Sequence, residues 1–145
     1  MGKQLEVRRE MKLAASAAKV WALASDFGGI GKWVDVIDTV TITHGGHNAP
    51  GTVRHLALKG GGTLDEELMA VDAARRHFRY RIVAGVLPVA DYVSDFTVAE
   101  SGPGASTVTW VGRFKAAGVD DATAEGAIGG VYDGGLAGLK AATGG

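Results

Sequence analysis

The chain has 145 residues, 46 % of them hydrophobic, and this suffices for one core, so a single domain over 1–145 is the expectation. Fifteen basic residues against sixteen acidic ones leave a formal net charge of −1, which supplies no field for holding nucleic acid or an anionic membrane. Cysteine is absent, which excludes disulfides, thiolate metal sites and thiol nucleophiles together and suits a reducing compartment.

The opening "MGKQLEVRRE" alternates charged and apolar residues where a secretory signal needs an apolar run, and no stretch approaches a membrane span. Glu6 stands where a myristoylation signal wants Ser or Thr. These readings predict a cytoplasmic protein. Residues 3–13 put Leu5, Val7, Met11 and Leu13 on one parity, with Arg9 the odd member, and charged or polar residues on the other; this is the two-residue period of a half-buried strand. "SAAKVWALASDF" opens on Ser16 as an N-cap and spaces Val20, Leu23, Ala24 and Phe27 at helical intervals, so a short amphipathic helix follows. Gly28 and Gly29 are expected to end it, with "IGKWVDVI" adding a further helical turn or two.

From about residue 37 to 115, apolar alternation is punctuated by "HGGHNAPG", "KGGG", "DAAR", "GVLP" and "ESGPGA", which leaves about six meandering strands. The last segment spaces Ile128, Val131, Leu136 and Leu139 as the stripe of a long terminal helix. Strand, two short helices, six strands and a long helix describe an α+β domain whose antiparallel sheet curls around that helix. The helix carries Gly126, Gly129, Gly130, Gly134, Gly135 and Gly138, each costing about 1 kcal/mol relative to alanine. They either leave room between helix and sheet or reflect compositional drift.

Antiparallel partners have a constant sum of positions set by the turn between them. Turns centred near 60, 74, 87 and 103 place Arg54, Glu66, Ile82, Tyr92 and Phe114 in one row across the inner face, with Leu56, Leu68, Tyr80, Phe96, Val98 and Trp110 as neighbours. Polar groups in an apolar wall are what a ligand pocket looks like. An inward Arg and Glu on adjacent strands are equally what a structural ion pair looks like.

The segments "KVWALASDFGGIGKW", "PGTVRHL", "DEELMAVD" and "RHFRYRIVAGVLPVADYVSDFTV", followed by the terminal helix, resemble the helix-grip proteins of the START and Bet v 1 superfamily, in the bacterial polyketide cyclase/dehydrase-like branch. The resemblance implies a seven-stranded sheet around the long helix with a cavity between them. Similarity to lachrymatory factor synthases implies catalytic roles for Arg54, Glu66 and Tyr92. Similarity to abscisic acid receptors implies a ligand-facing Lys32 with Glu66 and Tyr92, although "KGGG" replaces the receptors' gate.

Together these readings place ligand contacts at Lys32, Leu56, Leu68, Tyr80, Ile82, Phe96, Trp110 and Phe114, and at Ile128 and Tyr132 of the terminal helix. The expected ligand is a small hydrophobic or amphipathic molecule with one oxygenated end. Arg54 would anchor its oxyanion, Glu66 would move a proton, and Tyr92 with Tyr80 would donate to developing charge, giving cyclisation, dehydration or isomerisation with no cofactor. A non-catalytic carrier or sensor with the same pocket, or an interaction module with a vestigial one, are the alternatives. His44 and His47 have a metal-like spacing without acidic or cysteine partners and read as a turn. "GGIGKW" lacks the spacing of a phosphate loop and the hydroxyl residue that would follow Lys32. Trp21 and Trp33 read as packing residues, and Asp26 as a cap or surface residue.

Overall fold

Seven strands form one antiparallel sheet in the order β1-β7-β6-β5-β4-β3-β2, in a computed structural model that describes residues 2–46 and 48–145. His47 therefore lies outside the described residues. The strands are β1 (Leu5–Leu13), β2 (Ile37–His44), β3 (Val53–Leu58), β4 (Thr63–Asp72), β5 (His77–Gly85), β6 (Val89–Gly102) and β7 (Ala105–Ala116). Between β1 and β2 run helix α1 (Ala17–Ala24) and a 3-10 turn (Phe27–Lys32), and the chain closes on α2 (Asp121–Thr143). This is the α+β helix-grip arrangement, with both helices against the inner face of the sheet.

Ser16 caps α1 by accepting from the Lys19 N–H at 3.2 Å, as an N-cap hydroxyl should. The helix ends earlier than its glycines: Ser25 is the C-cap, its N–H bonded to the Trp21 carbonyl at 2.8 Å. Gly28 and Gly29 belong instead to the 3-10 turn, whose tighter winding turns Phe27 and Ile30 inward. Asp120 caps α2 by accepting from the Thr123 N–H at 2.7 Å, and Gly144 ends it in the left-handed conformation.

The ladder keeps half of the expected row. Arg54 is opposite Glu66, and Glu66 is opposite Ile82. The β5–β6 ladder stops at Arg81 and Val93, one step short of Ile82 and Tyr92. Tyr92 and Phe114 are not paired either, because the β6–β7 register shifts between Ala90 and Val93, where Asp91 takes a left-handed φ of 54°. Both side chains are still buried on the inner face.

The helical glycines divide by what an added methyl group would meet, and at Gly129 it would lie 2.6 Å from the end of the flexible Arg9 side chain. A methyl group at Gly126, Gly130 or Gly134 would meet open space. At Gly135 it would sit 2.8 Å from the Trp110 ring, and at Gly138 it would overlap the Trp33 carbonyl oxygen. The three open positions fit compositional drift, whereas Gly135 and Gly138 leave no room between helix and sheet, because Trp110 and the Trp33 backbone fill the space that their missing side chains give up. Only the last two glycines let α2 settle onto an aromatic layer in which Trp33 lies 5.8 Å from Trp110 and 5.9 Å from Phe96.

On the outer face Asp95 accepts from Arg79 Nε at 2.8 Å, bonds His77 Nε2 at 2.7 Å and lies 3.5 Å from Arg113. Partial burial works to raise its pKa, but the hydrogen bonds from Arg79 and His77 outweigh that and hold it below the usual value. A carboxylate with a depressed folded pKa stabilises the fold above its unfolded value of about 3.9, and that contribution disappears as the pH falls through the lower folded value. Asp95→Asn is expected to lower stability by about 1 kcal/mol at neutral pH. The gap between variant and wild type, read from urea midpoints, should close below about pH 3.

Candidate functional site

Glu66 lies at the junction of an ion pair and a cavity. Its Oε1 accepts from Arg54 Nε at 2.9 Å and lies 2.7 Å from Arg54 Nη2. Arg54 Nη1 donates to the Phe27 carbonyl at 2.9 Å, and the guanidinium stacks 3.8 Å from the Phe27 ring centre. The side chains of Arg54 and Glu66 are only 2 % and 7 % exposed. Strand β3 is thereby bound both to β4 and to the 3-10 turn. Glu66 Oε2 accepts no hydrogen bond among the described residues, and Glu66 borders the cavity.

The cavity has a volume of about 50 Å³. Ile30, Val34, Val36 and Ile37 line it from the segment that leads into β2, and Leu56, Leu58, Leu64 and Glu66 from β3 and β4. Tyr80 and Leu87 close another side, and Trp110 and Val131 reach in from β7 and α2. Val36, 42 % exposed, marks the outer rim. The wall is thus apolar except for one carboxylate, one phenol and the indole.

Of the residues expected at the site, Leu56, Glu66, Tyr80 and Trp110 border this cavity. Arg54 does not. Its fork is held by Glu66 and Phe27, so it positions Glu66 instead of offering itself to a ligand oxyanion. Leu68, Ile82, Tyr92, Phe96, Phe114, Ile128 and Tyr132 do not border it either. Ile82 is half-buried, and the other six pack in the surrounding core. Lys32 is at the surface, 69 % exposed and 3.8 Å from Asp26, because Ile30 and Trp33 take the inward places around it.

Leu58 and Leu64 share the alternation parity of Arg54 and Glu66, and Val131 belongs to the helical stripe, so their places were legible in the pattern. Ile30, Val34, Val36, Ile37 and Leu87 come from irregular segments that carry no such period. Ser94 was also missed. It is fully buried, and a polar residue between the inward-facing Tyr92 and Phe96 was the available signal.

Ser94 belongs to a buried hydroxyl cluster. Trp110 Nε1 donates to Ser94 Oγ at 2.9 Å and to the Tyr80 hydroxyl at 3.2 Å. Ser94 Oγ is 3.0 Å from the Tyr132 hydroxyl, the Tyr132 and Tyr92 hydroxyls are in contact, and Tyr92 is 3.3 Å from Tyr80. The Trp110 and Tyr132 rings stack at 4.2 Å. Burial pushes the Tyr80 pKa up to about 12, helped by the Glu66 charge, and pushes Tyr92 and Tyr132 well above the ordinary value.

These are the only three tyrosines in the chain. A phenol whose folded pKa is raised stabilises the protein fully below its unfolded value of about 10, and this is lost as the pH rises through the folded value. Near-ultraviolet titration should therefore show no tyrosine ionising near pH 10. All three should ionise together, at higher pH, as the protein unfolds.

Residues 4–144 match the model of the family described as "Polyketide cyclase / dehydrase and lipid transport". The chain belongs to this family. Among solved structures, this polyketide cyclase/dehydrase-family chain is similar to a putative uncharacterized protein from Bacillus thuringiensis, at 31 % identity and a TM-score of 0.88, over 96 % of this chain and 98 % of that one. The protein XoxI from Bacillus cereus is similar at 31 % identity and a TM-score of 0.87, over 95 % and 94 % of the two chains. A START superfamily protein from Mycobacterium smegmatis shares the fold at 14 % identity and a TM-score of 0.81, over 95 % and 96 %. No curated protein matches the sequence significantly. Among the described residues of this family member, no helix is long and apolar enough to cross a membrane.

Proposed function

We propose that the protein holds a small, mostly apolar, oxygenated molecule in the cavity between its sheet and α2, and that Glu66 moves a proton on that molecule without a cofactor. One observation carries the reading: a buried carboxylate, with one oxygen anchored by Arg54 and the other free of hydrogen bonds among the described residues, borders an apolar cavity. In the proposed step Glu66 takes a proton from the carbon beside a carbonyl, and the electron pair moves onto the carbonyl oxygen as an enolate. Glu66 then returns the proton to another carbon, which is isomerisation. Alternatively it protonates a departing hydroxyl, which leaves as water and completes a dehydration. Family membership supports the chemistry, since the family's description covers cyclases and dehydrases as well as lipid transport.

The carrier reading draws on the Arg54 clamp, which suits a fixed hydrogen-bond acceptor as well as a base. A thermal-shift and native mass spectrometry screen of small ketones, hydroxyketones and keto-acids finds the binders. Deuterium uptake at the carbon next to their carbonyl, followed by NMR in deuterated buffer, then separates the readings. Wild type is expected to exceed buffer, and Glu66→Gln to lose about a hundredfold or more of that rate while still binding. Binding without uptake makes the protein a carrier, and silence across the screen removes both readings.

A further inference from the structure

The hydroxyl cluster beside the cavity has a direction, and the direction follows from counting its protons. Tyr80, Tyr92, Tyr132 and Ser94 carry four hydroxyl protons but share three hydroxyl contacts. The fifth member, Trp110, is a donor only and accepts none of them. One proton therefore has no acceptor inside the cluster.

Burial decides which one it is. Three contacts in a row of four hydroxyls can be donated in four ways, one for each proton left over; leaving over that of Tyr92 or Tyr132 strands it on a buried phenol away from the cavity, and if Tyr80 donated to Tyr92, Tyr92 to Tyr132 and Tyr132 to Ser94, the unused proton would be that of Ser94. Ser94 is sealed from solvent, and its remaining neighbours in the cluster, Tyr80 and Tyr92, lie outside good hydrogen-bond geometry, so its proton would be poorly placed. In the opposite sense Ser94 accepts from Trp110 and donates to Tyr132, Tyr132 donates to Tyr92, and Tyr92 donates to Tyr80. The unused proton is then that of Tyr80, and of the four hydroxyl residues Tyr80 alone borders the cavity. No hydrogen bond joins Tyr80 to Glu66 among the described residues, so the carboxylate does not absorb this proton.

We infer that Tyr80, and not Tyr92, is the donor the cavity presents, and that the site selects a neutral ligand whose carbonyl oxygen accepts from Tyr80 while an adjacent O–H or acidic C–H faces the free oxygen of Glu66. The inference rests on the cavity being a ligand site. A carboxylate ligand is disfavoured by the same geometry, because its charge would face Glu66 with the Arg54 fork already committed. Trp110 and Ser94 are positioning residues that fix the direction of the chain. The high pKa of Tyr80 agrees with a proton that stays on the phenol and is lent to the ligand, not transferred.

The test compares cyclopentanone, cyclopentane and cyclopentanecarboxylate, titrated by protein NMR into wild type and into two conservative variants. Cyclopentane reports on the cavity alone, and the ketone adds only the acceptor. Wild type is expected to bind both and to prefer the ketone. Tyr80→Phe should weaken the ketone about fivefold to tenfold and leave cyclopentane within about twofold, whereas Tyr92→Phe should keep the preference. For the positioning role, Ser94→Ala should reduce the downfield shift of the bound ketone's carbonyl carbon, a signature that a merely structural residue would not move. An unchanged ketone preference in Tyr80→Phe, or loss of it only in Tyr92→Phe, overturns the inference while leaving the cavity as a ligand site. Tighter binding of the carboxylate than of the ketone overturns the selection for neutral ligands. If neither cyclopentane nor the ketone binds wild type, the cavity reading falls and the inference with it.

Discussion

Arg54→Met is expected to destabilise the protein by about 3–5 kcal/mol, because it leaves Glu66 buried without its cation. The loss goes beyond one ion pair. The Arg54 guanidinium also donates to the Phe27 carbonyl and stacks on the Phe27 ring, so the 3-10 turn loses its tie to β3. A buried pair offsets little more than the desolvation of its own charges, so removing both should be far milder than removing one. The double variant Arg54→Met, Glu66→Leu is expected to recover wild-type stability or exceed it. Urea denaturation of the two variants at neutral pH checks both statements. A single-variant loss below about 1 kcal/mol would mean that water reaches the pair freely.

Gly138→Ala is expected to reverse the usual sign of a glycine-to-alanine change in a helix. Removing glycine from a helix interior normally gains about 1 kcal/mol. Here the added methyl would overlap the Trp33 carbonyl oxygen, a backbone atom with no rotamer by which to move aside. Helix α2 would have to lift from the aromatic layer, at a net cost of about 2–3 kcal/mol. Gly130→Ala, facing open space two turns earlier, serves as the control and should gain about 0.5–1 kcal/mol. Thermal unfolding of both variants side by side reads the difference, and equal effects at the two positions would contradict the close approach of α2 to Trp33.

Periodicity carries only what the local geometry of the chain repeats. Alternation and turn centres place Arg54 opposite Glu66 because the intervening turn is short and both residues lie in unbroken ladder. They misplace the Tyr92 and Phe114 pairing because Asp91 enters a left-handed conformation, which aspartate tolerates but does not announce. Lys32 is placed toward the ligand by the resemblance and not by any period of its own; at the end of the 3-10 turn it stands at the surface while Ile30 and Trp33 turn inward. Which inward residues border empty space is further still from the sequence. That depends on how closely α2 approaches the sheet, a distance set by Gly135 and Gly138 against Trp110 and Trp33, residues far apart in the chain. The resemblance located the inner face correctly and overstated the reach of Arg54, whose partners here are protein groups.

Trp110 borders the cavity while its indole N–H is held by Ser94 and Tyr80, and its ring lies 5.8 Å from that of Trp33, whose own buried N–H has no partner among the described residues. Indole emission responds to hydrogen bonding and to nearby dipoles, and two indoles this close exchange excitation energy. If the proposed guest enters the cavity, it is expected to shift the water or polarity beside Trp110 and so to alter the colour and intensity of the native fluorescence. On the proposed reading, small ketones could then be surveyed by light alone on unlabelled protein.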